Sequence, residues 1–398
     1  MAIEYVGAKA ERRGRSRRRL RAQELSLLRR MDWILFGAVV ALVAYGLTVV
    51  NGITQHDVAG NPRYFLVRQG VFAAIGVVGL LVTLALDPSV YRRFWRTIYV
   101  GLVAVIALVF VAAPVVRGSR RWLDLGFFKF QPSEFGKLLL VLALAGFLAE
   151  RGKRMQEAPS AFAVVGLAAV PTMLVFLQPD FGTALVYGAG LAAVLLVAGT
   201  RWITLAFVGT AALLGAIAIL GLLPAAGVQI LKPYQQERIT GFTNPDSDPS
   251  GATYNVKQSV TAVGAGRFDG RGVAGATQTS LGFNPEHATD FAFSSLAEQR
   301  GFVGAAVLLC LYLLVVWRGL RIITVARDAF SAIVAGGITF ALLFQIGINV
   351  GMTMGIAPIT GIPLPFVSVG GSSMIANLLA MGVLLSIHVR GTPYRNKR

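Results

Sequence analysis

Apolar residues along this chain collect into long runs separated by short polar connections. Ten runs near spanning length stand out, at residues 33–50, 66–86, 98–115, 134–149, 161–177, 182–199, 202–223, 301–317, 330–352 and 372–389. A bilayer core is crossed by roughly 20 apolar residues in helical form, because the hydrocarbon leaves every backbone polar group to be satisfied within the segment. The pattern therefore predicts an all-α polytopic membrane protein of about ten transmembrane helices, with residues 33–390 forming one membrane domain. The longest interruption, residues 224–300, falls between helices seven and eight. Apolar positions Ile230, Leu231, Tyr234, Ile239, Val256, Val260, Val263 and Phe268 within it are spaced as in short amphipathic helices lying on a membrane surface.

Composition agrees with that reading. Hydrophobic residues make up 55% of the chain and charged residues 14%, and the mean hydropathy is +0.66; a soluble domain of this length carries far more charge. A single cysteine, Cys310, excludes a disulfide framework or a cysteine-based metal site. No zinc-ligand spacing, P-loop or dinucleotide fingerprint is present, and no internal repeat of the kind that builds many transporters is visible.

Charge sets the expected topology. Residues 1–32 form a basic arm, expected to be disordered, with Arg12, Arg13, Arg15, Arg17, Arg18, Arg19, Arg21, Arg29 and Arg30. Directly before a membrane helix, such an arm reads as a cytoplasmic anchor for anionic lipid head groups and not as a nucleic-acid binder. Connections 87–97, 150–160, 200–201 and 318–329 are basic, as is the tail 391–398. With an even helix count all fall on one side, so both termini are expected in the cytoplasm of a multi-pass protein of the cytoplasmic (inner) membrane.

The outer loops carry the candidate chemistry. Arg117, Arg120, Arg121 and Lys129 make residues 116–133 unusually basic for a short external connection, as a site for an anion would be. FQPSEFGKLLL opens the fourth helix, with Pro132 suited to a first turn and Glu134 and Lys137 three apart on one face. That pair is either an ion pair at the head groups or part of an anionic-lipid site. In LQPDFGT, Asp180 is either a helix cap or a functional carboxylate. PITGIPLPFVSVGGSS joins the last two helices with backbone that cannot continue as helix, and such backbone survives near a membrane only where protein or a wet cavity accepts it. Gln345 and Asn349 point toward it, and interhelical hydrogen bonding explains both. GFNPEHATDFAFSSLAEQRG concentrates Glu286, His287, Asp290 and Glu298 against the eighth run. Asp290 is read either as a catalytic base or as the N-cap of a helix beginning at Phe291. Ser295-x-x-Glu298 has the form of a capping box.

GSRRWLDLGFFKFQPSEFGKL, LQPDFGTALVY, NPDSDPSGATYNVKQS, TQTSLGFNPEHATDFAFSSLAE and GIPLPFVSVGGSS, in this order and helix context, resemble the SEDS proteins (shape, elongation, division and sporulation). The resemblance runs from residue 33 to 390, and TQTSLGFNPE and GIPLPFVS are nearer to the elongation member, RodA, than to the division member, FtsW. It implies a peptidoglycan glycosyltransferase that polymerises lipid II on the outer face of the cytoplasmic membrane, with a class B penicillin-binding transpeptidase and other elongation-complex proteins as partners. It places the family's essential aspartate at Asp290, its fourth-helix Glu/Lys pair at Glu134 and Lys137, and its final Ser-rich loop at Ser368, Gly370, Gly371, Ser372 and Ser373. Three departures stand out: Ala288 precedes Thr289-Asp290-Phe291 where the family has histidine, Gln299 and Arg300 follow Glu298 where an acidic pair is usual, and Val369 replaces a tyrosine.

Extending a glycan from a lipid-pyrophosphate donor needs a hydroxyl nucleophile, a base for its proton and positive charge for the leaving pyrophosphate. Asp290 fits the base. Arg117, Arg120, Arg121, Lys129 and Lys137 fit the anion, guanidinium groups in bidentate fashion and lysines as point charges. Asp180, Ser368 and Ser372 are further candidates for substrate contact. No resident cofactor is implied; a divalent cation, magnesium or manganese, accompanying the pyrophosphate is left open. A lipid II flippase and a non-catalytic scaffold for a transpeptidase are the competing classes.

Overall fold

The computed structural model describes residues 29–114, 119–126, 128–222, 224, 252–283 and 286–391. Most of the basic arm, Arg117, the apolar positions Ile230, Leu231, Tyr234 and Ile239, and the tail from residue 392 lie outside the described residues. The order is α1 Trp33–Ile53, α2 Tyr64–Ala85, α3 Pro88–Arg93, α4 Trp95–Ala112, the two-residue strands β1 Leu123–Asp124 and β2 Lys129–Phe130, α5 Pro132–Arg151, α6 Ala158–Leu177, α7 Phe181–Val197, α8 Trp202–Ile217, α9 Ala252–Gly266, α10 Gly272–Gly275, α11 Thr277–Ser280, α12 Ala292–Val325, α13 Ala329–Thr353 and α14 Gly371–Gly391. Eight of these helices are long and apolar enough to cross a membrane, and α7 and α8 are shorter apolar helices. Each of the ten predicted runs corresponds to one of them.

Burial sorts the helices into layers. In α5 and α13 72% of the apolar window is buried and in α14 89%, against 22–39% in the other five long helices. A helix apolar on all sides and buried on all sides is a core helix, so α5, α13 and α14 form the inner layer. Tyr187, Tyr312, Phe330 and Phe366 fill the space around them. The outer helices present Trp202, Phe207, Val100 and Leu313 outward, as lipid-facing surfaces do.

The structure corrects the sequence reading around the eighth run. The helix begins at Ala292, with Phe291 at its cap position and no side-chain cap bond, and it continues to Val325. Arg318, expected in a basic connection, therefore lies inside the helix and is buried, its guanidinium 2.6 and 2.8 Å from the Asp32 carboxylate at the start of α1. Glu298 does not close a capping box with Ser295. Its carboxylate accepts from Gln278 N, Thr279 N and Thr279 Oγ1 at 2.7–3.0 Å, so it caps α11 from across the fold, while Ser295 Oγ donates to His287 O.

Gly301 breaks α12 with φ 63° and ψ −163°, a region essentially closed to other residues. There the backbone passes so close to residues 268–270 that a Cβ would lie 2.3 Å from Gly270 N. Phe302 N and Val303 N donate to Arg267 O and Phe268 O across this contact. The nine residues Ala292–Arg300 thus form a separate docked piece that carries the Asp290 segment. Gly301→Ala is expected to cost about 2 kcal/mol, within the 1–3 kcal/mol typical of such strain, read as a lowered thermal unfolding midpoint in detergent.

Of the long loop, α9 is the described amphipathic helix; Ser259 and Ala262 are buried on one side and Val260 is exposed on the other. Ser259 Oγ donates to Thr353 O at 2.8 Å, fastening α9 to the end of α13.

Candidate functional site

Three segments meet at the end of the bundle where α5, α7 and α14 begin. The first is the turn before α5. Pro132 occupies the first helical turn, where its missing N–H is no loss, and Gln131 N donates to Ser372 Oγ at 2.9 Å. The second is the α6–α7 turn, where Asp180 caps α7 through Thr183 N (3.3 Å) and accepts at Oδ2 from Gln131 Nε2 and Ser133 Oγ, both 3.0 Å away. Asp180 is thus a cap and a tie to α5 at once. The third is the stretch from Glu286 to Asp290, laid against the loop 359–370. Gln69 of α2 holds that loop from behind: its Nε2 donates to Ser368 O (3.1 Å) and its Oε1 accepts from Gly370 N (3.2 Å). Gly46 of α1 lets the loop approach closely, since a Cβ there would sit 2.1 Å from Phe366 O.

These segments enclose a cavity of about 690 Å³ lined by Arg121, Lys129, Gln131, Glu134, Asp180, Glu286, Thr289, Asp290, Ser372 and Ser373, with Phe65, Trp122 and Pro363 among its apolar wall. Of the sequence candidates, Arg121, Lys129, Glu134, Asp180, Glu286, Asp290, Ser372 and Ser373 converge here, with Gly370 and Gly371. Arg120, Lys137 and Ser368 do not line it. Arg120 turns outward, its Nη1 donating to Phe110 O at 2.7 Å. Lys137 lines a separate void of about 30 Å³ with Glu134, Gln345 and Asn377. Ser368 stands in the wall, where its Oγ accepts from Leu364 N at 2.8 Å. Arg117 lies outside the described residues.

The electrostatics are mixed in sign. Arg121 is anchored through donation to Gln178 O (3.2 Å) and to Pro179 O, which orients its guanidinium beside the cavity. Lys129 is exposed at its rim, on the β2 strand that pairs with β1. Glu134 and Lys137 form a pair 2.7 Å long with side chains 2% and 9% exposed, and Glu134 in the first turn of α5 also faces the positive end of the helix dipole. Thr289 Oγ1 donates to Glu286 Oε2 at 2.8 Å, so the carboxylates of Glu286 and Asp290 share one short segment. His287 lies 3.1 Å from Asp57 of the α1–α2 connection and so ties that segment to the first hairpin of helices. Gln131, Trp122 and Thr289 were not singled out from sequence; QPS contains ordinary turn residues, and only the meeting of α5 with α14 gives Gln131 a shared surface with Ser372. Among the described residues no group of three or more His, Cys, Asp or Glu side chains is placed to hold a metal ion.

Fold and site together define a polytopic membrane protein whose helices enclose a polar cavity at one end of the bundle, with carboxylates and basic groups facing one another. Residues 29–392 match the FtsW/RodA/SpoVE family, described as cell cycle protein, and the chain belongs to that family, the SEDS proteins. It is 34% identical to the peptidoglycan glycosyltransferase MrdB of Escherichia coli K12, over 90% of this chain and 94% of that protein. It is 36% identical to the stage V sporulation protein E of Bacillus subtilis strain 168, over 89% and 96%. Among solved structures, one described as structural coordination of polymerization and crosslinking by a peptidoglycan synthase complex superposes with a TM-score of 0.76 at 30% identity, covering 92% of this chain and 99% of that one. The rod shape determining protein RodA of Thermus thermophilus superposes at 0.64 with 29% identity, over 90% and 96%.

Proposed function

We propose that this protein is a glycosyltransferase that polymerises lipid II into glycan strands on the outer face of the cytoplasmic membrane, with Asp290 as general base. What carries the reading is the convergence of Asp290 with Arg121 and Lys129 around one cavity of about 690 Å³, together with membership of a family that includes named peptidoglycan glycosyltransferases. The acceptor sugar's 4-hydroxyl attacks the anomeric carbon of the donor as Asp290 takes its proton. The new glycosidic bond forms while the bond to pyrophosphate breaks, the leaving group keeps the electron pair, and the configuration inverts. Arg121 and Lys129 stabilise the charge that develops on the pyrophosphate. The basic connections support a topology with both termini in the cytoplasm and the cavity on the opposite side.

A class B penicillin-binding transpeptidase is the proposed partner, in keeping with a structural neighbour described as coordinating polymerization and crosslinking. Identities of 34–36% to MrdB, to the stage V sporulation protein E and to a probable peptidoglycan glycosyltransferase FtsW of Halothiobacillus neapolitanus are alike; the motifs TQTSLGFNPE and GIPLPFVS support elongation. Depletion in the native host then yields rounded cells, whereas filaments would assign the protein to division.

The direct test is conversion of lipid II to glycan strands by the purified chain with its transpeptidase in detergent, followed on gels. Absence of polymer, with lipid II translocated across reconstituted vesicles instead, would make the protein a flippase. Within this scheme Lys129→Gln is expected to lower kcat about tenfold with KM for lipid II little changed, the loss of one charge-assisted contact to the developing charge worth about 1.4 kcal/mol.

A further inference from the structure

The carbonyls that lead up to Asp290 have donors drawn from elsewhere in the fold. Ala288 O accepts from Val369 N at 2.9 Å, Thr289 O from Ser368 Oγ at 2.5 Å, and Asp290 O from Asn349 Nδ2 at 2.8 Å. These three residues precede α12, so no helical N–H closes on their carbonyls as it would one turn further along. A carbonyl held away from water needs a partner. Here the partners come from two other elements, α13 and the loop 359–370.

Asn349 is the centre of this arrangement. It is fully buried, and its Nδ2 donates to Ile362 O at 2.7 Å as well as to Asp290 O. Both hydrogens of one amide therefore join the Asp290 segment to the loop that carries Ser368. The orientation is determined, since a flipped amide would set its oxygen against two carbonyl oxygens. Its Oδ1 is buried without a hydrogen-bond partner, a cost of about 1–3 kcal/mol set against the two carbonyls that its Nδ2 satisfies.

We propose that Asn349 and Ser368 are positioning residues for the reaction: they clamp the backbone of Thr289 and Asp290 and so set where the Asp290 carboxylate stands in the cavity. Neither residue lines the cavity. The proposal rests on the assignment of Asp290 as base. A general base must sit within about 2.6–3.2 Å of the proton it takes, and a misplacement of about 1 Å costs on the order of a hundredfold in rate.

The test uses the full chain with its transpeptidase and lipid II. Asn349→Ala, Asn349→Asp and Ser368→Ala are expected to lower kcat tenfold to a hundredfold with KM within twofold, while Ser368→Thr, which keeps the hydroxyl, stays within threefold of wild type. In an Asp290→Asn background the same substitutions are expected to add no further loss, because they act through that carboxylate. Amide hydrogen exchange of the peptide covering residues 286–296 is expected to rise in Asn349→Ala and Ser368→Ala, with exchange elsewhere unchanged. A kcat within twofold of wild type for Asn349→Ala and Ser368→Ala overturns the clamp, as does a raised KM at constant kcat or a uniform rise in exchange across the protein. The exchange measurement does not depend on turnover. A local rise in exchange with a wild-type protein that does not polymerise lipid II keeps the clamp and rejects the proposed activity, whereas an active wild type with unchanged exchange does the reverse.

Discussion

Asp290→Asn is expected to reduce lipid II polymerisation about a thousandfold while leaving the protein folded, within the roughly 10²–10⁴ that a positioned base contributes. The substitution is nearly isosteric; it removes the negative charge and, with it, the ability to accept a proton. Helix capping does not offer a competing explanation for a large effect, because Phe291 holds the cap position of α12 with no side-chain bond. The backbone carbonyl of Asp290, held by Asn349, is unaltered by the change. Steady-state rates with lipid II, paired with a thermal unfolding curve in the same detergent, decide the matter. A folded Asn variant that polymerises at near wild-type rate would reject the base assignment and move attention to Glu286, the other carboxylate on the same segment.

The second large effect is on stability. Lys137 and Glu134 are joined at 2.7 Å with side chains 9% and 2% exposed. Removing one member leaves the other charge buried without its partner, which in proteins costs about 3–5 kcal/mol. Lys137→Met alone is therefore expected to destabilise by about that amount and to lower the yield of monodisperse protein. The double variant Glu134→Gln with Lys137→Met removes both charges and is expected to recover most of the loss, since an ion pair exchanged for neutral groups of similar volume is close to neutral. Unfolding midpoints of the two variants measure the difference. If the single and double variants are equally unstable, the pair contributes through packing and not through charge. Activity provides a separate reading: the double variant, though folded, has lost the charge of Glu134 beside the cavity.

The helix inventory was readable in the sequence because spanning length is a local property. Each of the ten runs needs only its own side chains to be recognised, and α7 and α8, at 17 and 16 residues, are apolar enough to be seen despite their shortness. The candidate residues were readable for a related reason: charge is rare in this chain, so carboxylates and guanidinium groups next to apolar runs are conspicuous. Errors arose where a polar residue's partner is distant in sequence. Arg318 looked like one more charge of a basic connection, yet its partner Asp32 lies 286 positions away. Glu298 matched the spacing of a capping box, but its carboxylate is taken by backbone donors of α11, about 20 positions earlier. Asn349 looked like an interhelical contact of the ordinary kind; its partners turned out to be two backbone carbonyls, one of them that of Asp290.

By itself the sequence determined that the chain is a multi-pass helical membrane protein, where its helices lie, and which few charged residues face a polar edge. Which of those residues share a cavity was decided only by tertiary structure. Arg121, Lys129, Asp180, Asp290 and Ser372 come together because α5, α7 and α14 begin at one end of the bundle, while Arg120 and Lys137, one position and three positions from cavity residues, turn elsewhere. The physical reason is that hydropathy reports transfer into the bilayer one residue at a time. Helix against helix, there is no further hydrophobic gain, and the arrangement rests on close backbone approach and buried hydrogen bonds between segments far apart in the chain. Those bonds, from Gln69 to the loop 359–370 and from Asn349 to Asp290, give the catalytic candidate its place.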